Sequence, residues 1–214
     1  MKKILTLLTL WIPVLMVSQN PFDLLNAGKS IFQNSIPDQI PKAWFSNVEI
    51  EFGVNSQVEY DYALYDRNDK LVSGMGINLE RKVSYGILYS INYPVLNKLT
   101  IGAMSGVQYQ SQQKISALKI GGILRYHFIN YESVNINLMT AYNIALSNNI
   151  ESQMGNIRLG LQFPITKTDA FNLNLNVFGD YNYYVVREKI LNELYESPRT
   201  LIFRSYGFSL GLQF

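Results

Sequence analysis

Large apolar residues recur at every second position along most of this chain. The last nine residues show the pattern most clearly, because glycine, serine or glutamine separates the apolar residues there. Those apolar residues are Tyr206, Phe208, Leu210, Leu212 and Phe214. A β-strand points successive side chains to opposite faces, so this segment predicts a strand with one apolar face and one small, polar face.

Nine earlier segments share this period, and together they predict about ten strands. They cover residues 48–54, 58–64, 73–79, 83–93, 99–109, 118–128, 134–142, 157–163 and 171–183. Short turns and longer polar loops roughly alternate between the later segments, as in an up-and-down antiparallel sheet. We therefore predict an all-β fold, a closed antiparallel up-and-down transmembrane β-barrel over residues 47–214, in which the last strand pairs with the first.

The first two segments leave the strand number open. They keep the same alternation across Asn55-Ser56-Gln57, which fits either a three-residue hairpin loop or one very long strand. A single strand of that length exceeds the ~9–11 residues of a usual membrane span, so we prefer two strands. Eight strands is the main alternative, in which these segments form one irregular element or lie outside the barrel.

The N-terminus predicts export. Lys2 and Lys3 precede an almost wholly apolar run from Ile4 to Val17, and Ser18 is a small residue at a plausible cleavage point. Residues 1–18 therefore predict a secretory signal peptide, since the run is shorter than the ~20 residues of a membrane-spanning helix. Residues 19–46 do not alternate, and they predict a periplasmic N-terminal segment that is a short helix, a plug or a loosely ordered tail.

The two faces of the predicted strands indicate lipid outside and a polar lumen inside. Tyrosines gather toward strand ends on the apolar parity, as in an aromatic girdle. The other parity is too polar for a dry core and predicts a polar network in the lumen: Glu49, Glu51, Glu59, Asp61, Lys119, Arg125, His127 and Arg158. Because a buried unpaired charge is costly, we expect the acids of the first two strands to pair with the bases, which makes the interior a plug rather than a channel.

Composition narrows the function classes. The formal net charge is +2, and only 16% of the 214 residues are charged, so no nucleic-acid partner is expected. The chain has no cysteine, which excludes thiol catalysis, thiolate metal sites and disulfides. A metal at the single histidine, His127, would need carboxylates for its other ligands, so we expect neither a metal nor a cofactor.

The C-terminal strand, Tyr206 to Phe214, resembles the final strand of bacterial outer-membrane barrels. More broadly, residues 48–214 resemble small proteins of the porin-like outer-membrane β-barrel superfamily. The Lys-Lys start and the Ser18-Gln19 junction resemble secreted proteins of Bacteroidota-type bacteria. The resemblance implies an outer-membrane location, contact with outer-membrane lipid and lipopolysaccharide, and recognition of the last strand by the barrel-assembly machinery. An envelope protein partner also fits this class.

Three functions stay open at this point. The first, which we expect, is a non-enzymatic barrel with an envelope structural, partner-binding or small-solute role and no catalytic residue. The second is a barrel enzyme acting on envelope lipid or peptide. The sites of such enzymes lie toward the outer leaflet or the extracellular mouth, whereas His127 lies beside no serine and near the predicted periplasmic side. The third is a soluble periplasmic lipid-binding barrel.

Overall fold

The structure is a computed structural model that describes residues 43–68, 70–129, 132–151, 153–168, 170–191 and 195–214. The predicted signal peptide and residues 19–42 of the predicted N-terminal segment lie outside the described residues. Within the described ranges, no helix is long and apolar enough to cross a membrane.

Ten strands are present in the described part of the chain. They are β1 (Phe45–Tyr65), β2 (Leu71–Asn78), β3 (Val83–Leu96), β4 (Leu99–Gln110), β5 (Ile115–His127), β6 (Asn135–Ala145), β7 (Ile150–Glu151), β8 (Gln153–Lys167), β9 (Asn172–Val186) and β10 (Glu196–Gln213). Eight of them pair in the order β1, β3, β4, β5, β6, β8, β9 and β10, and β10 returns to β1, so the sheet closes into a ring. The prediction of an all-β, closed antiparallel barrel is confirmed, and the ring itself has the alternative number of eight strands.

The ring closes by pairing its last strand with its first. The register of β10 on β1 runs from Asn47 opposite Gln213 to Leu64 opposite Glu196. Ser46 and Phe214 also exchange two backbone hydrogen bonds, of 2.8 and 3.0 Å. The predicted closure is therefore present, and it leaves no open edge at the seam.

The hairpin expected between the first two segments does not form. Both segments belong to β1, which is a single strand of 21 residues. Asn55 pairs with Ser205 and Gln57 pairs with Arg204, so Ser56 is the extra residue of a β-bulge. In the sequence, the apolar residues stay on even-numbered positions on both sides of the bulge. A three-residue hairpin loop would give the same pattern, although here the strand continues in one direction.

The strands β2 and β3 lie end to end along β1. Residues 59–65 of β1 pair with β2, and residues 45–54 pair with β3. Both pairings are antiparallel, so β2 and β3 run in the same direction. The Glu80-Arg81-Lys82 segment between them is thus a break along one side of β1 rather than a turn between two neighbouring strands.

The bulge changes which side chains of β1 point into the barrel. Glu51, before the bulge, is buried inside the ring, and Tyr60, after it, is also buried inside. One extra residue shifts the alternation of a strand by one position, so the apolar parity of β1 faces outward before Ser56 and inward after it.

We call the barrel end that carries Phe214 the C-terminal end, and the opposite end the distal end.

This inversion corrects two members of the predicted lumen network. Glu59 and Asp61 lie on the outer face of β1, beyond the bulge. The Oε2 atom of Glu59 is 3.5 Å from Nη2 of Arg204, and Asp61 Oδ2 accepts a 3.0 Å hydrogen bond from the Thr200 hydroxyl. Neither carboxylate can reach the bases inside the ring from that face.

An apolar band surrounds the barrel between Phe214 and the bulge. Its middle is aliphatic and exposed, as at Ile50, Ile87, Leu159 and Leu210. Exposed aromatic residues are concentrated toward its two borders: Trp44, Tyr126, Phe128, Phe163, Phe171 and Phe214 toward the C-terminal end, and Tyr85, Tyr109, Tyr142, Tyr181 and Tyr206 on the distal side, with Tyr89 and Phe208 between them. Aliphatic surface between two aromatic girdles is the pattern of a barrel in lipid.

The height of the band follows from the last strand. Arg204 is the first outward-facing charge met when β10 is followed back from Phe214, ten positions away. Ten residues span ~33 Å along a strand, and a tilt of about 40° reduces this to ~25 Å along the barrel axis, the usual height of a membrane band. Since Arg204 pairs with Gln57 beside the bulge, the inversion in β1 falls at the distal border of the band.

Beyond this border the barrel has an apolar interior, which we call the distal core. Its buried members are Val58, Tyr60, Tyr62, Ile115, Ala117, Ile150, Tyr184, Val186, Leu201 and Phe203. Tyr184 and Phe203 meet edge to face with ring centroids 5.8 Å apart, and Tyr60 stacks on Tyr62 at 5.4 Å. The distal part is thus built like a water-exposed protein, apolar inside and polar outside.

Deleting Ser56 tests the role of the bulge. Without the extra residue, Val58 and Tyr60 would face outward, and Glu59 and Asp61 would face the distal core. We expect the distal part of β1 to lose its packing and become sensitive to limited proteolysis, with cleavage sites mapped by mass spectrometry.

The matched control is Ser56→Ala, which keeps the residue. It removes only the 2.9 Å hydrogen bond from Ser56 Oγ to the carbonyl oxygen of Arg204, worth about 1 kcal/mol. Equal protease resistance in the deletion variant and the Ser56→Ala variant would contradict our description of the bulge.

Candidate functional site

The candidate site is the interior of the ring at the level of the apolar band. Two clusters of ion pairs lie there. Among the described residues, they contain three acids and three bases: Glu49, Glu51, Asp180, Lys119, Arg125 and Arg158. Each of these residues is 6% exposed or less. Strands β1, β5, β8 and β9 supply them, so the ring must close before the charges can meet.

The cluster nearer the C-terminal end is centred on Glu49. Arg125 Nη2 lies 3.5 Å from Glu49 Oε1, and Arg125 Nη1 donates to the side-chain oxygen of Asn92. Ser209 donates to Glu49 Oε2 at 2.8 Å, and the Asn47 amide donates to Oε1 at 2.7 Å. Both carboxylate oxygens of this buried acid therefore accept hydrogen bonds.

The second cluster joins Arg158 to two acids. Arg158 Nη1 donates to Glu51 Oε2 at 2.6 Å, and Nη2 donates to Asp180 Oδ2 at 3.3 Å. The Lys119 ammonium lies 3.7 Å from the same Asp180 oxygen. The Arg158 guanidinium also lies 3.9 Å from the centre of the Phe178 ring, which adds a cation–π contact.

Carboxamides complete the hydrogen bonding of this cluster. Gln108 donates to Glu51 at 3.1 Å and to Asp180 at 3.3 Å. Asn156 donates to Asp180 Oδ1 at 2.6 Å, and Asn182 donates to Oδ2 at 2.8 Å. Buried charges are tolerated when they are paired and hydrogen-bonded, and these contacts supply both conditions for Glu51 and Asp180. The Lys119 ammonium is paired with Asp180 but has no hydrogen bond within the described residues.

A glycine on β3 makes room for Glu51. A Cβ atom on Gly86 would come within 2.3 Å of a carboxylate oxygen and within 2.7 Å of Cγ of Glu51. Only a residue without a side chain leaves that space on the neighbouring strand. The approach of β3 to the ion pair thus depends on glycine at this position.

The remaining space in the band region is small. A cavity beside Glu49 and Arg158, lined also by Leu88, Met104 and Met139, has a volume of about 10 Å³. That is room for about one water molecule. At the level of Glu49 and Arg158, side chains therefore occupy most of the interior.

His127 lies at the C-terminal end of the lumen. Its Nε2 atom is 3.1 Å from the hydroxyl of Thr100, and both residues are buried. No group of three or more histidine, aspartate or glutamate side chains that could hold a metal ion occurs among the described residues. His127 thus takes part in a hydrogen bond on the inward face, apart from the Arg158 cluster.

The structure brings together most of the predicted network. Glu49 meets Arg125 and Glu51 meets Arg158, the kind of pairing between β1 and the bases that the sequence predicts. Lys119 instead pairs with Asp180, which is not among the predicted members. Asp180 lies at an inward-facing position of β9, and its place in the alternation is the sequence feature from which its position in the lumen could be predicted.

Glu196 is a second residue that the sequence analysis did not identify. It is buried at the start of β10, where it accepts a 2.5 Å hydrogen bond from the Tyr60 hydroxyl and a 2.9 Å bond from the Ile190 N–H. Burial and the contact with Glu196 raise the pKa of Tyr60, which lies beyond the apolar band, so the phenol keeps its proton and donates. The sequence analysis placed no strand between residues 183 and 206, because the apolar parity of β10 switches between Phe203 and Tyr206, and Glu196 therefore fell outside every predicted strand.

Comparisons with known proteins add structural likeness only. No protein-family model matches the chain, and no curated protein matches it. The solved structures that resemble it include Neisserial surface protein A, at 14% identity and a TM-score of 0.40, covering 81% of this chain and 98% of that one. The outer membrane protein OprG from Pseudomonas aeruginosa has 11% identity and a TM-score of 0.47, with coverages of 81% and 97%. The outer membrane protein AlkL, solved in lipid bilayers, has 13% identity and a TM-score of 0.45, with coverages of 85% and 95%.

Replacing Arg158 with methionine tests the second cluster. The substitution leaves Glu51 and Asp180 buried with Lys119 as their remaining cation. Removing one partner of a buried ion pair typically costs ~3–5 kcal/mol, and we expect the free energy of unfolding to fall by about that amount. A urea titration of the lipid-embedded protein, followed by gel migration without heating, measures the change.

The control for Arg158→Met is Arg204→Met on the outer face. The Arg204 side chain is half exposed, and its Nη2 atom is 3.5 Å from Glu59. Exposed pairs contribute at most about 1 kcal/mol. A loss of stability in Arg158→Met no larger than in Arg204→Met would contradict the structural role of the buried cluster.

Proposed function

We propose that this chain is a non-enzymatic outer-membrane barrel, which spans the membrane with its apolar band and presents its distal part outside the cell. The inversion of polarity at Ser56 carries this proposal. In the band, apolar side chains face outward and ion pairs face inward, whereas beyond Arg204 the arrangement reverses. A barrel in water would expose the ~25 Å apolar band to solvent at a free-energy cost, whereas a barrel in lipid needs such a band on its outer face. The band also ends at the level where the interior becomes apolar, as expected where the barrel leaves the lipid.

The connections support the proposed orientation. At the C-terminal end, β3 and β4 are joined by the two residues Asn97 and Lys98, and the longest connection at this end has the seven residues 128–134. At the distal end, β9 stops at Val186 and β10 starts at Glu196, and β1 and β2 extend past the band as a hairpin. Short periplasmic turns and longer outside connections are typical of outer-membrane barrels.

The packed interior favours an envelope structural or partner-binding role over the passage of solutes. The cavity of about 10 Å³ beside Arg158 is too small for a solute path, and the distal core lies beyond it. A non-enzymatic role is part of the proposal, and it fits the burial of His127, whose Nε2 atom contacts the buried Thr100 hydroxyl.

Lipid and assembly contacts are part of the proposal. Tyr206, Phe208, Leu210, Leu212 and Phe214 all lie exposed on the outer face of β10, where lipid, lipopolysaccharide and the barrel-assembly machinery would meet them. The Bacteroidota-type origin and the signal peptide stay predictions from the sequence.

Extraction and gel migration test the membrane proposal. We expect the purified protein to require detergent and to migrate faster without heating than after boiling, because the hydrogen-bonded ring resists the denaturing detergent. A protein that stayed monodisperse in buffer without detergent would contradict the proposal.

Electrical recording tests the sealed interior. Protein shown by gel migration to be folded is inserted into planar lipid bilayers, and we expect no stable conductance step, because ion pairs and the distal core fill the lumen. Large, long-lived open channels in the unmodified protein would overturn the assignment of a sealed barrel.

A further inference from the structure

A groove runs along the outer face of β3 and β4, on the distal side of the apolar band. It has a volume of about 770 Å³, and its outward-facing side chains are mostly apolar: Ile50, Tyr85, Ile87, Tyr89, Ser105, Val107 and Tyr109. From Tyr85 to Tyr89 the groove extends over four residue spacings, which is ~13 Å along a strand. This length is about half of the ~25 Å band, so the groove matches the depth of one leaflet.

Two tyrosines that lean toward β1 open this groove. The Tyr89 hydroxyl lies 3.0 Å from the Ser46 hydroxyl on β1, and the Tyr85 ring contacts the Phe52 ring on the same strand, with centroids 5.5 Å apart. Ser105 lies opposite Tyr89 on β4, and its small side chain leaves the space above the strands unfilled. The groove is therefore fixed by side-chain contacts of the closed barrel.

Positive charge is gathered at the distal end of the groove. Arg81 and Lys82 directly precede β3, Lys114 ends the turn after β4, and all three are exposed. The Ser111 N–H donates to the carbonyl oxygen of Val83 at 3.0 Å, which holds that turn beside the start of β3. The backbone positions of the three cations are therefore separated by only a few strand spacings of ~4.8 Å.

Two of these cations have no acid beside them. Glu80 lies 3.2 Å from Lys82, whereas Arg81 and Lys114 form no ion pair with any described residue. Three positive charges and one negative charge leave a net charge of +2 at this end of the groove. Such a surplus attracts an anion.

The neighbouring part of the same border is compensated. Arg204 on β10 has a carboxylate oxygen of Glu59 3.5 Å from its guanidinium, and Asp61 lies two positions further along the outer face of β1. The positive surplus therefore lies above the groove and does not extend to the seam where β1 meets β10.

We propose that this groove binds lipid A, the phosphorylated glycolipid that anchors lipopolysaccharide in the outer leaflet. An acyl chain of the lipid lies on Ile87 and Val107, where a groove gives it dispersion contacts on several sides. A phosphate group lies at Arg81 and Lys114, because both side chains donate charge-assisted hydrogen bonds to phosphate oxygens.

The charge at the groove favours lipid A over a glycerophospholipid. A net charge of +2 suits a headgroup with two phosphates better than a headgroup with a single negative charge. The inference rests on the proposed outer-membrane function, since that function places the distal side of the band in the leaflet that holds lipopolysaccharide.

Native mass spectrometry tests the charged end of the site. Diphosphoryl lipid A is titrated into the full chain, folded in a non-ionic detergent, and we expect binding to saturate at one lipid per chain. Arg81→Gln combined with Lys114→Gln should weaken binding about tenfold or more. The matched control is Lys98→Gln, an exposed cation in the turn at the opposite end of β3 and β4, which should bind as the wild type does.

Filling the groove tests its apolar part. Ser105→Leu places a larger side chain in the groove and should weaken lipid A binding several-fold. Ala103→Leu is the matched control, because Ala103 lies on the same face of β4 but lines a separate groove of about 370 Å³, beside Trp44 and Tyr93. Both variants keep an apolar outer face, and gel migration without heating verifies that they fold.

Dimyristoylphosphatidylglycerol, a phospholipid with one negative charge, is the competing ligand in the same titration. Binding of this phospholipid as tight as that of lipid A would overturn the proposal, and so would wild-type affinity in either the double glutamine variant or Ser105→Leu. A folded, detergent-dependent barrel that takes up lipid A without saturation would refute the site alone. A chain that stays dissolved without detergent would refute the proposed function instead.

Discussion

Buried charges that must find partners are the constraint on which this barrel depends. A ring of eight strands encloses just enough space for side chains, so an inward ion has little water to solvate it. Arg158 resolves this by contacting Glu51 on β1 and Asp180 on β9, while Lys119 on β5 adds a second cation to Asp180. The same contacts that satisfy the charges join distant strands across the lumen, so closure of the ring and its stability have one physical origin.

The second feature that determines this structure is the level at which the apolar side chains change from the outer face of the barrel to its interior. The strand β1 makes the exchange with one inserted residue, Ser56, whereas β10 makes it without a bulge, by switching its apolar parity between Phe203 and Tyr206. The two strands pair across this level, so both change at the same height. On the C-terminal side of that level the outer face of the barrel is apolar, and on the distal side the interior is apolar, as expected for a surface in contact with water.

Some residues were placed correctly because their signal is local. Leu210 and Phe214 alternate with small residues, and an outward apolar face follows from the period of a strand alone. Glu49, Glu51, Arg125 and Arg158 sit on the opposite parity, so their inward position follows in the same way. Glu59 and Asp61 were misplaced because a bulge and a short loop leave the same trace in the pattern, and only pairing with Ser205 and Arg204 distinguishes them.

The two-faced strands and the all-β class could be predicted from the chain alone, because each depends on neighbours along it. The return of the last strand to the first was predicted from the closed-barrel class that such strands indicate. The three-dimensional structure was needed to show that eight strands form the ring, that β2 stands beside it, and that Lys119 meets Asp180 rather than an acid of β1. Those outcomes depend on register between strands far apart in sequence. The two-residue period of a strand shows which of its side chains share a face, but it does not show which strand pairs with it.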